Sequence, residues 1–304
     1  MELKTLEYFL TIARYENITQ AARDLHISQP PLSRSLQALE EELGVPLFRR
    51  EKKRLHLTEE GRYFRRQCLQ IQQLLDHSVQ QVRQMKQGTC GKIYIGSVGS
   101  AGSRLIPSWI AGFGEQYPQV SYNIWSGNTD DVVERMRQGL LDAAVIREPF
   151  DQENFESLRV GREPWAVLVK NVHPLAAGSG SLKLRDLAGQ RLIISGRRST
   201  EIRRWFADQG LQADVFCEYD QVSSAIGLVR SNLGILICPG STKDTYSFSD
   251  LAWRQLEEGS RSSWLSLIWR SDVRLSPLAE TFVTYIKQQL IPADGVEGAE
   301  DGTE

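Results

Sequence analysis

The chain has 304 residues, 41% hydrophobic and 24% charged, with a formal net charge of −2. That composition excludes collagen-like, disordered and disulfide-scaffold classes, and the length suits about two domains. No apolar run approaches the ~18 residues of a bilayer-crossing helix, and the opening Met1-Glu2-Leu3-Lys4-Thr5-Leu6-Glu7 lacks a basic-then-apolar leader, so a cytoplasmic protein is expected. The charge is uneven: residues 1–88 carry a net +3 and the remainder −5. Eight basic side chains against three acids crowd into residues 49–66, a local footprint of polyanion contact.

Leu3, Leu6, Phe9, Leu10 and Ala13 fall on one face of a predicted helix over 3–15. A short helix follows from Ile18-Thr19, with Thr19 as a candidate cap. The paired alanines Ala21-Ala22 permit close helix contact. After a turn at His26-Ile27-Ser28, a third helix spans Gln29 to Leu43, with Leu32, Leu36, Leu39 and Leu43 as its buried stripe and Gly44 as its stop. Helix, turn and helix packed on a preceding helix make a helix-turn-helix. If Ser28 caps the third helix, two of the amides its hydroxyl would serve belong to Pro30 and Pro31, which have no N–H, so that hydroxyl is free to bond outward. Opposite the leucines lie Gln29, Pro30, Ser33, Arg34 and Gln37, short or base-reading side chains suited to a major groove. Residues 46–57 read as a two-stranded wing with a basic tip, a phosphate clamp beside such a motif. Thr58 can cap the next helix.

Thr19-Gln20-Ala21-Ala22, Leu25, Ser28-Gln29-Pro30-Pro31-Leu32-Ser33, Leu39-Glu40, Leu43-Gly44, Leu47-Phe48-Arg49-Arg50 and Leu57-Thr58-Glu59-Glu60-Gly61 together resemble the signature of LysR-type transcriptional regulators. The resemblance runs ungapped over about sixty residues, and the layout of the rest of the chain agrees. It implies a recognition helix in the major groove and a wing on the minor groove, with DNA-binding residues Thr19, Ser28, Gln29, Pro30, Pro31, Ser33, Arg34, Gln37, Arg50 and Lys53. Glu51 departs from the family's basic wing and lowers the local positive field.

From Glu59 to Gln87 the positions Phe64, Cys68, Ile71, Leu75, Ser78, Val82 and Met85 recur at 3.5-residue spacing. Because the other faces are rich in Gln and Arg, the pattern favours a dimerising coiled coil over a core helix, with Phe64, Cys68, Ile71, Leu75 and Val82 in the seam. Gln87-Gly88-Thr89-Cys90-Gly91 is the expected hinge.

Beyond residue 90, strands and helices alternate. Strands are expected at 93–96, 120–125, 142–146, 165–170, 191–195, 214–218, 233–237 and 264–269, and helices at 104–117, 129–138, from 200, from 221 and at 276–290. Such alternation predicts parallel sheets with helices on both faces. The overall expectation is an α/β protein with an N-terminal all-α winged helix-turn-helix (1–58), a long linker helix (59–90) and a periplasmic-binding-protein-like domain of two α/β subdomains (91–292). The family layout gives subdomain I as about 91–161 and 267–292 and subdomain II as about 162–266, crossed near Gly161–Pro164 and Trp264–Trp269. An acidic tail, 293–304, is predicted to be disordered.

Ligands then belong in the cleft between the subdomains. Gly96-Ser97-Val98-Gly99-Ser100-Ala101-Gly102-Ser103 would join a strand to a helix and offer free amides; it is not a dinucleotide fingerprint. Alignment to family members places Ser100, Thr129 and the segment from Ser195 to Arg197 among effector contacts; Ala101, next to Ser100, is a further candidate, and Arg147 could pair a carboxylate bidentately. The expected effector is a small anionic molecule, because helix N-termini and arginines surround one cleft.

Competing functions fare poorly. Of four histidines only His173 lies in the α/β region, so no triad or zinc site is expected, and no G-x-S-x-G or Walker loop is present. A solute-binding protein for transport would share the cleft but not the DNA module. No catalytic residue, metal or cofactor is expected. The expected partners are double-stranded DNA, a small-molecule effector, RNA polymerase by family resemblance, and further copies of the chain as homodimer or homotetramer, with no membrane. Cys217 and Cys238 each end an apolar run, so a redox switch is conceivable, but buried small hydrophobes are the favoured reading.

Overall fold

The computed structural model describes residues 1–51, 54–87, 90–257 and 263–290. Lys53 of the wing tip and the acidic stretch 293–304 lie outside them. The chain divides into two compact units, Met1–Val82 and Arg83–Glu304.

The first unit contains α1 (Leu3–Tyr15), α2 (Ile18–Asp24), α3 (Gln29–Leu43), the hairpin β1 (Phe48–Glu51) and β2 (Arg54–Leu57), and the greater part of α4 (Glu59–Gln87). Helix α1 stops where Glu16 turns left-handed at φ 48°. The cap of α2 is Asn17, whose side-chain oxygen accepts from Thr19 N (2.9 Å) and Gln20 N (3.1 Å). Thr19 therefore does not cap; the helix starts two residues earlier, and the Thr19 amide is itself one of those Asn17 satisfies. Ser28 makes no capping bond ahead of its prolines, and Gly44 closes α3 in the left-handed region at φ 71°, both as expected. Glu40 ties α3 to the wing by accepting from Leu47 N (2.7 Å) and Phe48 N (3.1 Å). Thr58 Oγ1 accepts from Gly61 N (2.9 Å) and donates to Pro46 O (2.8 Å). A Cβ on Gly61 would lie 2.0 Å from the Leu47 carbonyl oxygen, so only glycine lets α4 start this close to the wing.

The second unit runs β3 (Gly91–Val98), α5 (Gly99–Gln116), β4 (Val120–Gly127), α6 (Thr129–Arg137), β5 (Ala143–Arg147), β6 (Phe155–Glu163), β7 (Trp165–Lys170), β8 (Leu192–Ser195), α7 (Ser199–Ala207), β9 (Val215–Tyr219), α8 (Val222–Arg230), β10 (Ile235–Pro239), α9 (Thr242–Thr245), β11 (Leu251–Gln255), β12 (Ser263–Arg270) and α10 (Pro277–Leu290). Two five-stranded sheets form, β4-β3-β5-β12-β6 and β11-β7-β10-β8-β9.

The sheets are mixed, not parallel. In the first, β3 pairs parallel with β4 and β5, but β12 is antiparallel to β5 and β6. In the second, β8 is parallel to β9 and β10, while β7 is antiparallel to β10 and β11. The antiparallel strands follow from the crossings: β6 is added to the first sheet before the chain leaves, and β12 when it returns. Strand β12 belongs wholly to the first sheet, so the return crossing falls before Ser263 and not within Trp264–Trp269. The outward one falls at Pro164. Strands β6 and β11 escape sequence detection because Glu156, Arg159, Arg162 and Arg254 break their apolar pattern.

Each lobe has its own core. Phe113, Phe282, Ile95 and Met136 fill the first, and Phe206, Ile194, Ile202 and Ile237 the second. Strand β8 lies between β9 and β10, and Cys217 and Leu236 share the partner Ile193, so Cys238 stands two strand spacings across and two residues along from Cys217, about 11–12 Å away. A disulfide needs Cα atoms within about 7 Å. Burial also pushes the Cys238 thiol up to about 12, so the pair forms no redox switch in this sheet.

Candidate functional site

The first site is the outer face of α3. Leu32, Leu36 and Leu39 turn into the core with Phe9 and Ile12. That leaves Ser28, Gln29, Pro30, Pro31, Arg34 and Gln37 exposed on the other side, with Ser33 half-buried. Gln37 donates to Glu41 Oε1 at 3.0 Å, whereas Arg34 has no partner among the described residues. Thr19 on α2 and Arg50 on β1 are also exposed. Free donors and acceptors on a helix face that buries nothing are what a base edge or a phosphate would meet.

Helix α4 corrects the seam in part. Cys68 is fully buried in the core of the helix-turn-helix, and Phe64 packs against that core with its ring 5.0 Å from Phe9, edge to face. Cys68 is therefore enclosed within one copy and unavailable to a partner, while Phe64 is half-buried and spends one side on its own core. Burial pushes the Cys68 thiol up to about 11. The stripe that remains exposed is Ile71, Leu74, Leu75, Val79 and Val82, with Val82 at 67%. The heptad reading could not divide these sets, because one spacing continues through both.

The second site is the cleft between the lobes of the second unit. The predicted loop 96–103 is mostly helix, because α5 begins at Gly99. Ser100 falls in its first turn, and its side chain lies outside those described. Ala101 is fully buried in the first lobe's core, so its methyl group cannot touch a ligand in the cleft. Thr129 opens α6 behind the cap Asn128, which accepts from Asp131 N at 2.9 Å. Ser195 precedes a short 3-10 turn, Gly196–Arg198, and makes no capping bond.

Among the described residues, polar links join the lobes at three places. Arg197 donates to Asp130 at 3.4 Å, and Arg198 donates to the Glu148 carbonyl at 3.0 Å. The third centres on Glu163, only 3% exposed, which accepts from Ser241 N at 3.2 Å, from the Ser241 hydroxyl, and from Arg147. Arg147 is thus committed to a carboxylate of its own chain. Its predicted role as a ligand clamp is corrected to a structural one. Arg197 remains half exposed at the cleft rim.

Sequence reasoning missed Asp130, Glu163 and Ser241. Glu163 adjoins the recognised crossing, but nothing in the sequence marks Ser241, which the antiparallel pairing of β7 and β10 carries to the hinge. Elsewhere, two cavities of about 470 and 420 Å³ flank α10, the first against the end of α5 and the second beside Trp269 and Arg270. Among the described residues no group of His, Cys, Asp and Glu could hold a metal, and no helix is long and apolar enough to cross a membrane.

A helix-turn-helix with an open recognition face, a long helix and a two-lobed ligand domain define a one-chain DNA-binding regulator. Comparisons with known proteins agree at both ends. Residues 3–62 match the bacterial regulatory helix-turn-helix protein, lysR family, and residues 86–291 match the LysR substrate binding domain. The chain belongs to the LysR family of transcriptional regulators. It is 30% identical over 280 residues to the HTH-type transcriptional regulator BudR of Raoultella terrigena, covering 89% of this chain and 95% of that one. It is 27% identical over 289 residues to BsdA of Bacillus subtilis, strain 168, another HTH-type transcriptional regulator, covering 93% and 99%. Full-length CbnR complexed with its target DNA has the same fold, with a TM-score of 0.78 at 24% identity over 95% of this chain and 99% of that chain.

Proposed function

We propose that this regulator reads a quasi-palindromic operator as a dimer and changes transcription when a small anionic metabolite enters the interlobe cleft. The observation that carries this reading is the outer face of α3, where Arg34 stands exposed and unpaired beside Gln29 and the uncapped Ser28. Two recognition helices brought together through the exposed stripe of α4 would meet successive major grooves. Pairs of dimers would join through the ligand domains as a homotetramer. We take the effector to be anionic on Arg197, half exposed at the cleft rim, whose long 3.4 Å contact with the exposed Asp130 a ligand carboxylate would replace. Its arrival alters contact with RNA polymerase, and the protein works in the cytoplasm without catalytic residue, metal or cofactor.

A footprint on the DNA upstream of its own gene, at ~0.15 M salt to suppress non-specific binding, should show two adjacent half-site pairs protected. Arg34→Ala should cost ~1–3 kcal/mol and relax base preference. An unchanged footprint and affinity would remove Arg34 from the reading set. Ser100→Ala with Thr129→Val should spare the footprint and abolish the effector response; a normal response would put the pocket elsewhere.

A further inference from the structure

The larger cavity beside α10, about 470 Å³, belongs neither to the DNA-reading face nor to the cleft. Helix α5 starts at the cleft with Gly99 and ends at this cavity with Gln116, and its 18 residues put the two about 27 Å apart. One glycine shapes the wall. A Cβ at Gly112 would lie 2.1 Å from the Tyr285 hydroxyl and push that ring off α5. With glycine there, Tyr285 packs edge to face on Phe113 at 5.5 Å, and Tyr117 stacks on the same ring at 4.4 Å. The two tyrosines line the cavity, and the fully buried pair Phe113 and Phe282, 5.1 Å apart, lies beneath them. Tyr122 adjoins Phe282 at 6.2 Å. Its hydroxyl is buried with no partner among the described residues, and burial together with Tyr285 pushes it above its usual range, so it stays neutral.

The electrostatic features of the lining share one sign. No lysine or arginine lines the cavity, and its one charged side chain is Glu280, which has no ion-pair partner among the described residues. The C-terminus of α5 adds to it. Pro118 has no N–H to give the Gly114 carbonyl, and no backbone donor among the described residues reaches the carbonyls of Glu115 or Gln116, so the negative end of the helix is open. The opposing positive end of α10 is largely closed. That helix begins with Pro277, and Ser276 takes the amide of Ala279 on its hydroxyl at 3.2 Å and that of Glu280 on its carbonyl at 2.9 Å. Aromatic faces are themselves negative. A carboxylate, a helix C-terminus and two tyrosine rings therefore meet around one space.

We propose that this cavity is a ligand site separate from the cleft, and that it takes an organic ammonium ion. The charge faces Glu280 and the end of α5, and the carbon-bearing surface lies against Tyr117 and Tyr285. A small metal ion is the poorer occupant, because one carboxylate and two rings do not replace the oxygen ligands of its hydration shell. The hydroxyl of Thr281, which also lines the space, is already given to the Pro277 carbonyl at 2.7 Å.

The test uses the full chain labelled with 3-fluorotyrosine, in which the resonances of Tyr117 and Tyr285 are identified among the nine tyrosines by their loss in Tyr117→Phe and Tyr285→Phe. Tetramethylammonium chloride is titrated to about 50 mM, well above a millimolar dissociation constant, with sodium chloride holding ionic strength constant. Tert-butanol, a neutral compound of similar shape, and sodium acetate are run in parallel. A saturable shift of both resonances is expected with tetramethylammonium alone. Glu280→Gln, at an exposed position, should weaken saturation about threefold or more without moving the melting temperature. A response unchanged in Glu280→Gln overturns the proposal, as does the absence of any saturable shift. Equal saturation by tert-butanol, or tighter saturation by acetate, overturns the ligand class. The readout sits at the far end of α5 and uses neither DNA nor effector, so loss of the cleft reading would leave this result standing.

Discussion

Glu163→Gln tests the hinge most directly. The carboxylate is 3% exposed and holds Arg147, itself only 15% exposed, together with the amide and hydroxyl of Ser241. Glutamine keeps the size but has one acceptor oxygen, so either Arg147 or Ser241 loses its partner, and Arg147 is left as a poorly solvated cation. Breaking a buried pair by removing one member costs about 3–5 kcal/mol; the partial exposure of Arg147 argues for the lower end, about 3 kcal/mol. For a unit of about two hundred residues, each kcal/mol shifts the melting temperature by roughly 2–4 °C. Scanning calorimetry of the full chain should therefore show the transition of the ligand domain falling by about 6–12 °C, with that of the DNA module unmoved. The double variant Arg147→Met, Glu163→Leu should lose less than Glu163→Gln alone, because replacing both charges removes the stranded cation. If the double variant were the less stable of the two, the pair would contribute through packing and not through charge, and the argument would fail.

Three further outcomes follow from the geometry. Ile71→Glu and Val82→Glu should shift the protein towards smaller oligomers in sedimentation without lowering the melting temperature of the DNA module, whereas Phe64→Ala should lower that temperature by removing about 2–4 kcal/mol of packing and leave the oligomer intact. The Arg159 hydrogen bonds hold the Glu148 carboxyl below its usual value of 4.5 against the opposing effect of burial. A depressed carboxylate contributes stability that is full above its unfolded value and is lost as pH falls through the folded one, so the ligand domain should weaken below about pH 4.5 and Glu148→Gln should flatten that slope. Under native conditions near pH 8, a thiol reagent should modify Cys217 before Cys68 or Cys238, whose buried thiols are held up at about 11 and about 12; early modification of Cys238 would show that the second lobe opens.

The DNA module was legible because its signals are local. A leucine stripe, a glycine stop, two prolines and a capping threonine each act within one or two turns. The helix boundaries stand where those residues put them, and a wing forms as expected, but its strands run through the charges read as the tip, taking in Arg49, Arg50, Glu51 and Arg54. Legibility failed where contact depends on distant chain. No period distinguishes Phe64 and Cys68, facing the core of their own copy, from Ile71 and Val82, facing outward; the difference lies in where the wing and α1 happen to end. The cleft follows the same rule. Thr129 could be placed by its neighbouring cap, but the carboxylate that claims Arg147 comes from a strand too charged to read as one, and Ser241 reaches the hinge only through sheet pairing. An unpaired arginine in sequence is a candidate clamp; in the fold it is a partner already taken.

The packing of Phe64 and Cys68 against the helix-turn-helix core has a mechanical consequence. The first turns of α4 are locked to the core from which α3 projects, so the DNA-reading head cannot swivel on its stalk. In the proposed dimer, the distance and angle between two recognition helices are then fixed by phase along a rod. One residue inserted between Cys68 and Ile71 would turn each head by about 100° relative to the seam, while seven would turn it by only about 20° and extend the stalk by about 10 Å. The operator spacing this protein accepts is in that sense written in the number of residues between its core and its seam.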